Sequence, residues 1–135
     1  MNQNNPIIVF VCEHGAAKSV IAAAYFNKLA QEKNLDAHAI ARGTHPDREL
    51  SPKAITGLKD DGLSPTELVP HKLSLADVQS AQKILTFCEL PEEYQTKASI
   101  EQWDSVPPVS EGYQKARDEI VERINQLLKQ QENQS

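Results

Sequence analysis

Cysteine is scarce in this chain, with two in 135 residues, Cys12 and Cys88. That number cannot staple a secreted scaffold, and it fits a reducing cytoplasm, where thiols serve chemistry more often than architecture. Long hydrophobic runs are missing as well. No segment approaches the roughly 20 apolar residues that span a bilayer. The polar start, Met1 to Pro6, lacks the basic and apolar regions of a signal peptide. Positive charge is in deficit: the net charge is −5 and the pI about 5.3. General binding to nucleic acid or to an anionic membrane is therefore not expected, and an anion site here must rely on local rather than global field. There is no internal repeat and no linker. One domain, residues 1–135, in a cytoplasmic protein is the expectation, with enough chain for a single core.

What is present is an alternation of strand-like and helix-like segments. Ile7 to Val11 is a continuous β-branched and aromatic run, the pattern of a central parallel strand buried on both faces. Lys18 to about Glu32, rich in alanine, suits a helix packed on that sheet, with a turn at Asn34. Ala37 to Ala41 reads as a second strand leading to Arg42-Gly43-Thr44. Ser51 and Pro52 open a second helix that stops near Gly62. A third helix is expected from Ser74 to Ala81, then a strand from Lys83 to Cys88, a short edge strand from Ala98 to Trp103, and a closing helix from Val109 to Gln131. Residues 131–135 are expected to fray. The alternation predicts an open parallel α/β sheet, whose ligands bind beyond the carboxyl ends of the strands. Cys12 and Cys88 both fall at such ends.

The first strand runs directly into Cys12-Glu13-His14-Gly15-Ala16-Ala17-Lys18-Ser19. A thiol followed by small residues and a helix start sits in a ring of backbone N–H groups. Those groups and the helix dipole stabilise a bound oxyanion and a thiolate alike. Residues Glu13, His14, Gly15, Ala16, Ala17 and Lys18 are thus the candidate anion-binding loop. Lys18 adds a full charge and Ser19 a hydroxyl for the sulfur. His14 is either a second cation or proton donor at neutral pH, or an ordinary exposed loop histidine. Arg42 and Arg48 flank the loop after the second strand, where they are able to meet an anion. His38, His45 and His71 are scattered, so no metal site is expected.

These residues resemble the low-molecular-weight protein tyrosine phosphatases and the arsenate reductases built on the same fold. The family's loop runs from cysteine to arginine six residues later and then serine or threonine, as Cys12 to Lys18-Ser19 does here. Ala41-Arg42-Gly43-Thr44 is similar to the family's Ser-Ala-Gly-Thr segment. His71 to Ser74, Ile84 to Cys88 and Trp103-Asp104 match later segments. The resemblance implies a flavodoxin-like three-layer α/β sandwich with an open parallel sheet of about four strands. Three departures stand out. Lysine replaces the two-pronged arginine, a loss comparable with the ~2.7–4 kcal/mol of a missing oxyanion donor. Gly15 replaces the asparagine that holds a left-handed turn, which glycine reaches freely. Pro107 stands where the family has its general acid, worth roughly 10²–10⁴-fold, with Asp104 upstream as a makeshift. No aromatic pair is evident to hold a phosphotyrosine ring.

Cys88 stands where the reductases keep a second, resolving cysteine, although a buried bystander is the competing reading; the third cysteine of thioredoxin-coupled members is absent. The resemblance thus implies Cys12 as nucleophile, Lys18 and the loop N–H groups as anion stabilisers, Ser19 as support, and Cys88 as candidate resolving thiol. The reading that leads is an arsenate reductase-like enzyme with no bound cofactor, served by an external thiol reductant (thioredoxin, glutaredoxin or a small thiol). The alternatives are a slow phosphomonoesterase acting through a phosphocysteine, with Asp104 as acid, and a non-catalytic oxyanion-binding module. The partners expected are arsenate, phosphate or a phosphomonoester.

Overall fold

The β-branched run Ile7–Cys12 (β1) lies at the centre of a parallel sheet of order β2-β1-β3-β4, flanked by His38–Gly43 (β2) and Ala81–Thr86 (β3), with Ser99–Gln102 (β4) on the far edge. The computed structural model describes residues 7–95 and 99–133. Buried on both faces, β1 sends Ile8 and Phe10 to one side and Val9 and Val11 to the other, as the period of a strand requires. Helices α1 (Lys18–Glu32), α2 (Pro52–Asp60) and α4 (Tyr113–Asn133) pack on the Ile8 and Phe10 side. The opposite side is covered by the short α3 (Leu75–Ser80) and a 3₁₀ turn at Glu92–Tyr94. The three-layer α/β sandwich with a four-stranded parallel sheet is the architecture expected from the sequence.

Several boundaries move. The third strand begins at Ala81 and ends at Thr86, so Phe87 and Cys88 lie just past it rather than within it. Ser74 caps the start of α3 through a capping box with Asp77, and the helix ends at Ser80, where Ala81 turns extended and opens the strand. The closing helix starts at Tyr113 rather than Val109, because residues 109–111 form a 3₁₀ turn and Gly112 takes φ 153°. It continues to Asn133, past the expected end at Gln131; Gln134, Ser135 and Ala98 of the expected edge strand lie outside the described residues. Asn34, with φ 58°, makes the turn after α1.

With so few aromatics, their placement matters. All three phenylalanines and the tryptophan meet in one cluster. Phe10 lies 6.1 Å from Phe26, 6.4 Å from Phe87 and 5.7 Å from Trp103, and Phe87 and Trp103 are 5.8 Å apart, centroid to centroid. Phe87 and Trp103 each directly follow a strand, so the cluster anchors the chain where β3 and β4 end. Each such pair contributes about 0.5–1.5 kcal/mol beyond its buried area. The outer edge of β2 is closed by a side chain. Asn27 on α1 donates to the Ala39 carbonyl (3.1 Å) and accepts from its N–H (2.7 Å), blunting an edge that residues 71–73 cover further along at Gly43.

Three helices are tied together by Asp61, at the end of α2. It accepts hydrogen bonds from Tyr25 on α1 (2.5 Å), Tyr113 on α4 (2.8 Å) and Arg117 on α4 (3.0 and 3.1 Å). Burial opposes the charge of Asp61, but those hydrogen bonds and the Arg117 charge overcome it and hold its carboxyl below the ordinary value. Burial and the hydrogen bond to Asp61 push the Tyr25 hydroxyl up to about 12. A carboxyl with a lowered folded-state value stabilises the fold above the ordinary carboxylate value. That contribution fades as pH falls below about 3.9 and through the lowered value. Asp61→Ala is therefore expected to cost about 1–3 kcal/mol at neutral pH, and urea denaturation should show the difference from wild type shrinking toward pH 3.

Candidate active site

The loop from Cys12 to Ala17 is shaped from outside. Four of its carbonyl oxygens are taken by the strand end and loop that follow β2: Thr44 N–H donates to Cys12 (3.2 Å), His45 to Glu13 (2.7 Å), Asp47 to His14 (3.0 Å) and Ser51 to Ala16 (2.9 Å). None of the backbone N–H groups of residues 13–18 donates to a protein acceptor among the described residues. A peptide whose carbonyl is drawn to one side presents its N–H to the other, so these donors are left for a ligand. At the end of the loop, Ala17 caps α1 without a side-chain hydrogen bond, and the first turn of the helix carries no acid. The positive end of a 15-residue helix thus lacks a resident anion.

The turn itself depends on two glycines. Gly15 has φ +60°, and an added Cβ there would stand 2.8 Å from the Gly43 nitrogen; one on Gly43 would stand 2.7 Å from the Gly15 nitrogen. The two backbones touch, and this contact sets the distance between the anion loop and the end of β2. The left-handed turn expected at Gly15 is present.

Cys12 is buried at the loop's base, its Sγ 3.0 Å from the hydroxyl of fully buried Ser19. Cys88 is half-buried and lines the same cleft as Cys12. Its N–H donates to the Thr86 hydroxyl (3.2 Å), which in turn donates to the Cys88 carbonyl (2.7 Å) and lies 3.6 Å from its sulfur. Burial pushes the Cys88 thiol up, the Thr86 and Thr44 hydroxyls pull it partly back, and the neighbouring charges of Cys12 and Glu13 push the same way as burial. Lys18 lines the cleft and donates to the Val106 carbonyl at 2.9 Å. Its ammonium thereby joins the anion loop to segment 103–108.

The cleft has a volume of about 970 Å³ and is walled by the anion loop, residues 47–53, Phe87, Cys88 and residues 108–110. It brings together Cys12, Glu13, His14, Ala16, Ala17, Lys18 and Cys88 of the expected site, with Ser19 and Gly15 supporting from behind. Asp104 is exposed and is not part of the cleft wall. Arg42 is turned away too: it is held by Asp77 (3.0 Å) and Glu67 (2.6 Å) on the far side of β2. Arg48 does line the cleft. Sequence reasoning misses Asp47, 3.2 Å from the His14 ring, and the threonines around Cys88. Thr44 and Thr86 are buried hydroxyl residues at strand ends, and that placement is the signal the sequence offers for them. Among the described residues, no group of three or more His, Cys, Asp or Glu side chains is arranged to hold a metal, and no helix is long and apolar enough to cross a membrane.

The sequence profile of the low molecular weight phosphotyrosine protein phosphatase family matches residues 7–135. The chain belongs to this family. No curated protein matches the sequence, but solved structures share this phosphatase fold. The Corynebacterium glutamicum thioredoxin-dependent arsenate reductase Cg_ArsC1' superposes with a TM-score of 0.79 at 19% identity, over 100% of this chain and 66% of that one. This phosphatase-family chain therefore spans just under two thirds of that longer protein. The arsenate reductase from Archaeoglobus fulgidus DSM 4304 is 25% identical with a TM-score of 0.68, covering 89% and 97% of the two chains. A low molecular weight protein tyrosine phosphatase from Bacillus subtilis is 21% identical with a TM-score of 0.81, covering 94% and 97%.

Two substitutions test the site's construction. Ser19→Ala removes the hydroxyl from Cys12 and is expected to slow alkylation of Cys12 at neutral pH by roughly ten-fold, the scale of a hydrogen bond to a charged group; a mass-resolved iodoacetamide time course reads it. Gly43→Ala drives a methyl into the Gly15 backbone. It is expected to destabilise the fold by about 1–3 kcal/mol and to weaken phosphate binding measured by calorimetry.

Proposed function

We propose that this chain is an arsenate reductase-like cysteine enzyme. The observation that supports this reading above the others is Cys88, a second thiol in the wall of the cleft that holds Cys12. The family contributes the fold and the anion loop, and two of the structures it resembles are named arsenate reductases.

The chemistry runs in two displacements. The Cys12 sulfur attacks arsenic(V) held by the N–H groups of residues 13–18 and by Lys18. An S–As bond forms, and one arsenate oxygen leaves, protonated, as water. The Cys88 thiolate then attacks the Cys12 sulfur. An S–S bond forms, the S–As bond breaks, and its electron pair stays on arsenic, which departs as arsenite. Two thiols lose two electrons and arsenic gains two. An external thiol reductant must reopen the disulfide. Cys88 reacts second: burial, with the charge of Cys12 as a smaller contribution, favours its protonated form, and its proton passes to solvent as the thiolate forms.

A second reading has an observation of its own. The cleft falls in the range of about 300–1,000 Å³ typical of small-molecule pockets, which is more room than a bare oxyanion fills. A phosphomonoester fits that space, with Cys12 forming a phosphocysteine in the same cradle.

Thiol-trapping mass spectrometry of the reduced protein, with and without arsenate, separates the readings. A Cys12–Cys88 linkage with loss of two hydrogens, seen only with arsenate and abolished by Cys12→Ser, is the expected result. Thiols that stay free with arsenate, and form no mixed disulfide when a small thiol or glutaredoxin is supplied, reject the reductase. Hydrolysis of aryl phosphates then distinguishes the esterase from an oxyanion binder without turnover.

A further inference from the structure

One titratable pair in the cleft is left unused by the chemistry above. His14, two residues after Cys12, places Nδ1 3.2 Å from Asp47 Oδ1, and both side chains line the cleft. The main chain holds them together: the Asp47 N–H donates to the His14 carbonyl at 3.0 Å. The pair is thus clamped at backbone and at ring. Segment 103–108 offers the cleft no carboxylate, since Pro108 lines it and Asp104 does not. Displacement at a tetrahedral oxyanion nevertheless needs a proton on the departing oxygen, and a positioned acid contributes roughly 10²–10⁴-fold.

We infer that His14, oriented by Asp47, is the catalytic acid of this site. The inference rests on the Cys12 displacement proposed above. Asp47 forms an ion pair with the Nδ1 side of the charged ring, which leaves the Nε2 proton of the imidazolium available for transfer. Glu13 Oε1, 4.0 Å from Nε2, is too far to compete as a hydrogen-bond acceptor. As the Cys12 sulfur bonds to arsenic or phosphorus, the bond to the departing oxygen breaks and its electron pair goes to that oxygen. The oxygen takes the Nε2 proton and leaves as water or an alcohol. The exposed ring recovers a proton from solvent. The charged and titratable groups sharing the cleft are Cys12 at the end of β1, Glu13 on the loop, Lys18 on α1, Arg48 and Glu49 after β2, Lys53 on α2, and Cys88 after β3. Among the described residues, Glu13 and Asp47 are the carboxylates within 4.0 Å of the ring.

The test is single-turnover disulfide formation with arsenate, followed by thiol trapping across about pH 5–9. Wild-type protein is expected to show a limb of falling rate as pH rises, because the acid must carry its proton. His14→Gln should be slower by roughly 10²-fold and lack that limb. Asp47→Asn should lower the rate while leaving phosphate affinity at the wild-type value, since it removes the partner that orients the imidazole. Asp104→Asn should match wild type. A His14→Gln protein that keeps the rate and the limb overturns the inference, as does a limb that Asp104→Asn abolishes. Calorimetry with phosphate measures binding in each variant, and a fall in affinity large enough to explain the whole rate loss also overturns it. If wild type forms no disulfide, the reductase reading fails separately, and the variants are compared on aryl phosphates. His14→Gln must then lose more rate on phenyl phosphate than on p-nitrophenyl phosphate; equal losses, or a wild type inert to both substrates, overturn the inference.

Discussion

The anion loop keeps its shape because its carbonyl oxygens are held by another part of the chain. A run of peptides cannot turn all its N–H groups inward unless something accepts the burden of its carbonyls, and here the residues after β2 do so one by one, from Thr44 to Ser51. The contact of Gly15 with Gly43 brings the two segments close enough for this lacing. Ser51 also caps α2, so the clamp on the loop is continuous with a helix rooted in the core. The anion site is thus a property of two loops, only one of which carries the nucleophile.

The same economy governs the aromatic residues. A cluster built from Phe10, Phe26, Phe87 and Trp103 fixes the ends of three neighbouring strands with few large side chains. Its members stand next to the residues that matter: Phe87 precedes Cys88 and itself lines the cleft, while Trp103 opens the segment whose Val106 carbonyl receives Lys18. Arg123 on α4 lies over the Trp103 ring and bonds the Ser105 hydroxyl, so the closing helix steadies that segment from the other side. Chemistry at the sheet's end therefore depends on packing one residue away from it.

Much of this is legible in local sequence pattern. The β-branched run of β1, the alanine-rich α1, the Ser51-Pro52 helix start and the loop from Cys12 to Ser19 each declare themselves within a few residues. What stays hidden acts between residues far apart in the chain. Nothing adjacent to Asn27 marks it as the partner of Ala39, nor Asp61 as the knot of three helices. Arg42 reads as available to an anion because Glu67 and Asp77, which neutralise it, lie far along the chain. Asp47 escapes notice for the opposite reason, since a carboxylate in a polar loop carries no signal until a histidine is found beside it. The apolar continuation past Thr86 reads as more strand, yet Phe87 serves the aromatic cluster rather than the sheet.

Charge around the cleft is balanced, with Lys18, Arg48 and Lys53 facing Glu13, Asp47 and Glu49 in its lining, within a chain of net charge −5. Long-range steering therefore contributes little to anion capture, and selection falls to the short-range donors of the loop. Those donors reward an anion small enough to sit inside the ring. Lysine in place of arginine sharpens the point. One of its three protons is committed to Val106, and the remainder act as a point charge rather than a fork matched to two oxygens. Binding strength then rests on the backbone N–H groups, which any loop substitution other than proline leaves chemically intact so long as the Gly15 turn survives. The side chains of the loop are correspondingly free to serve the reaction itself.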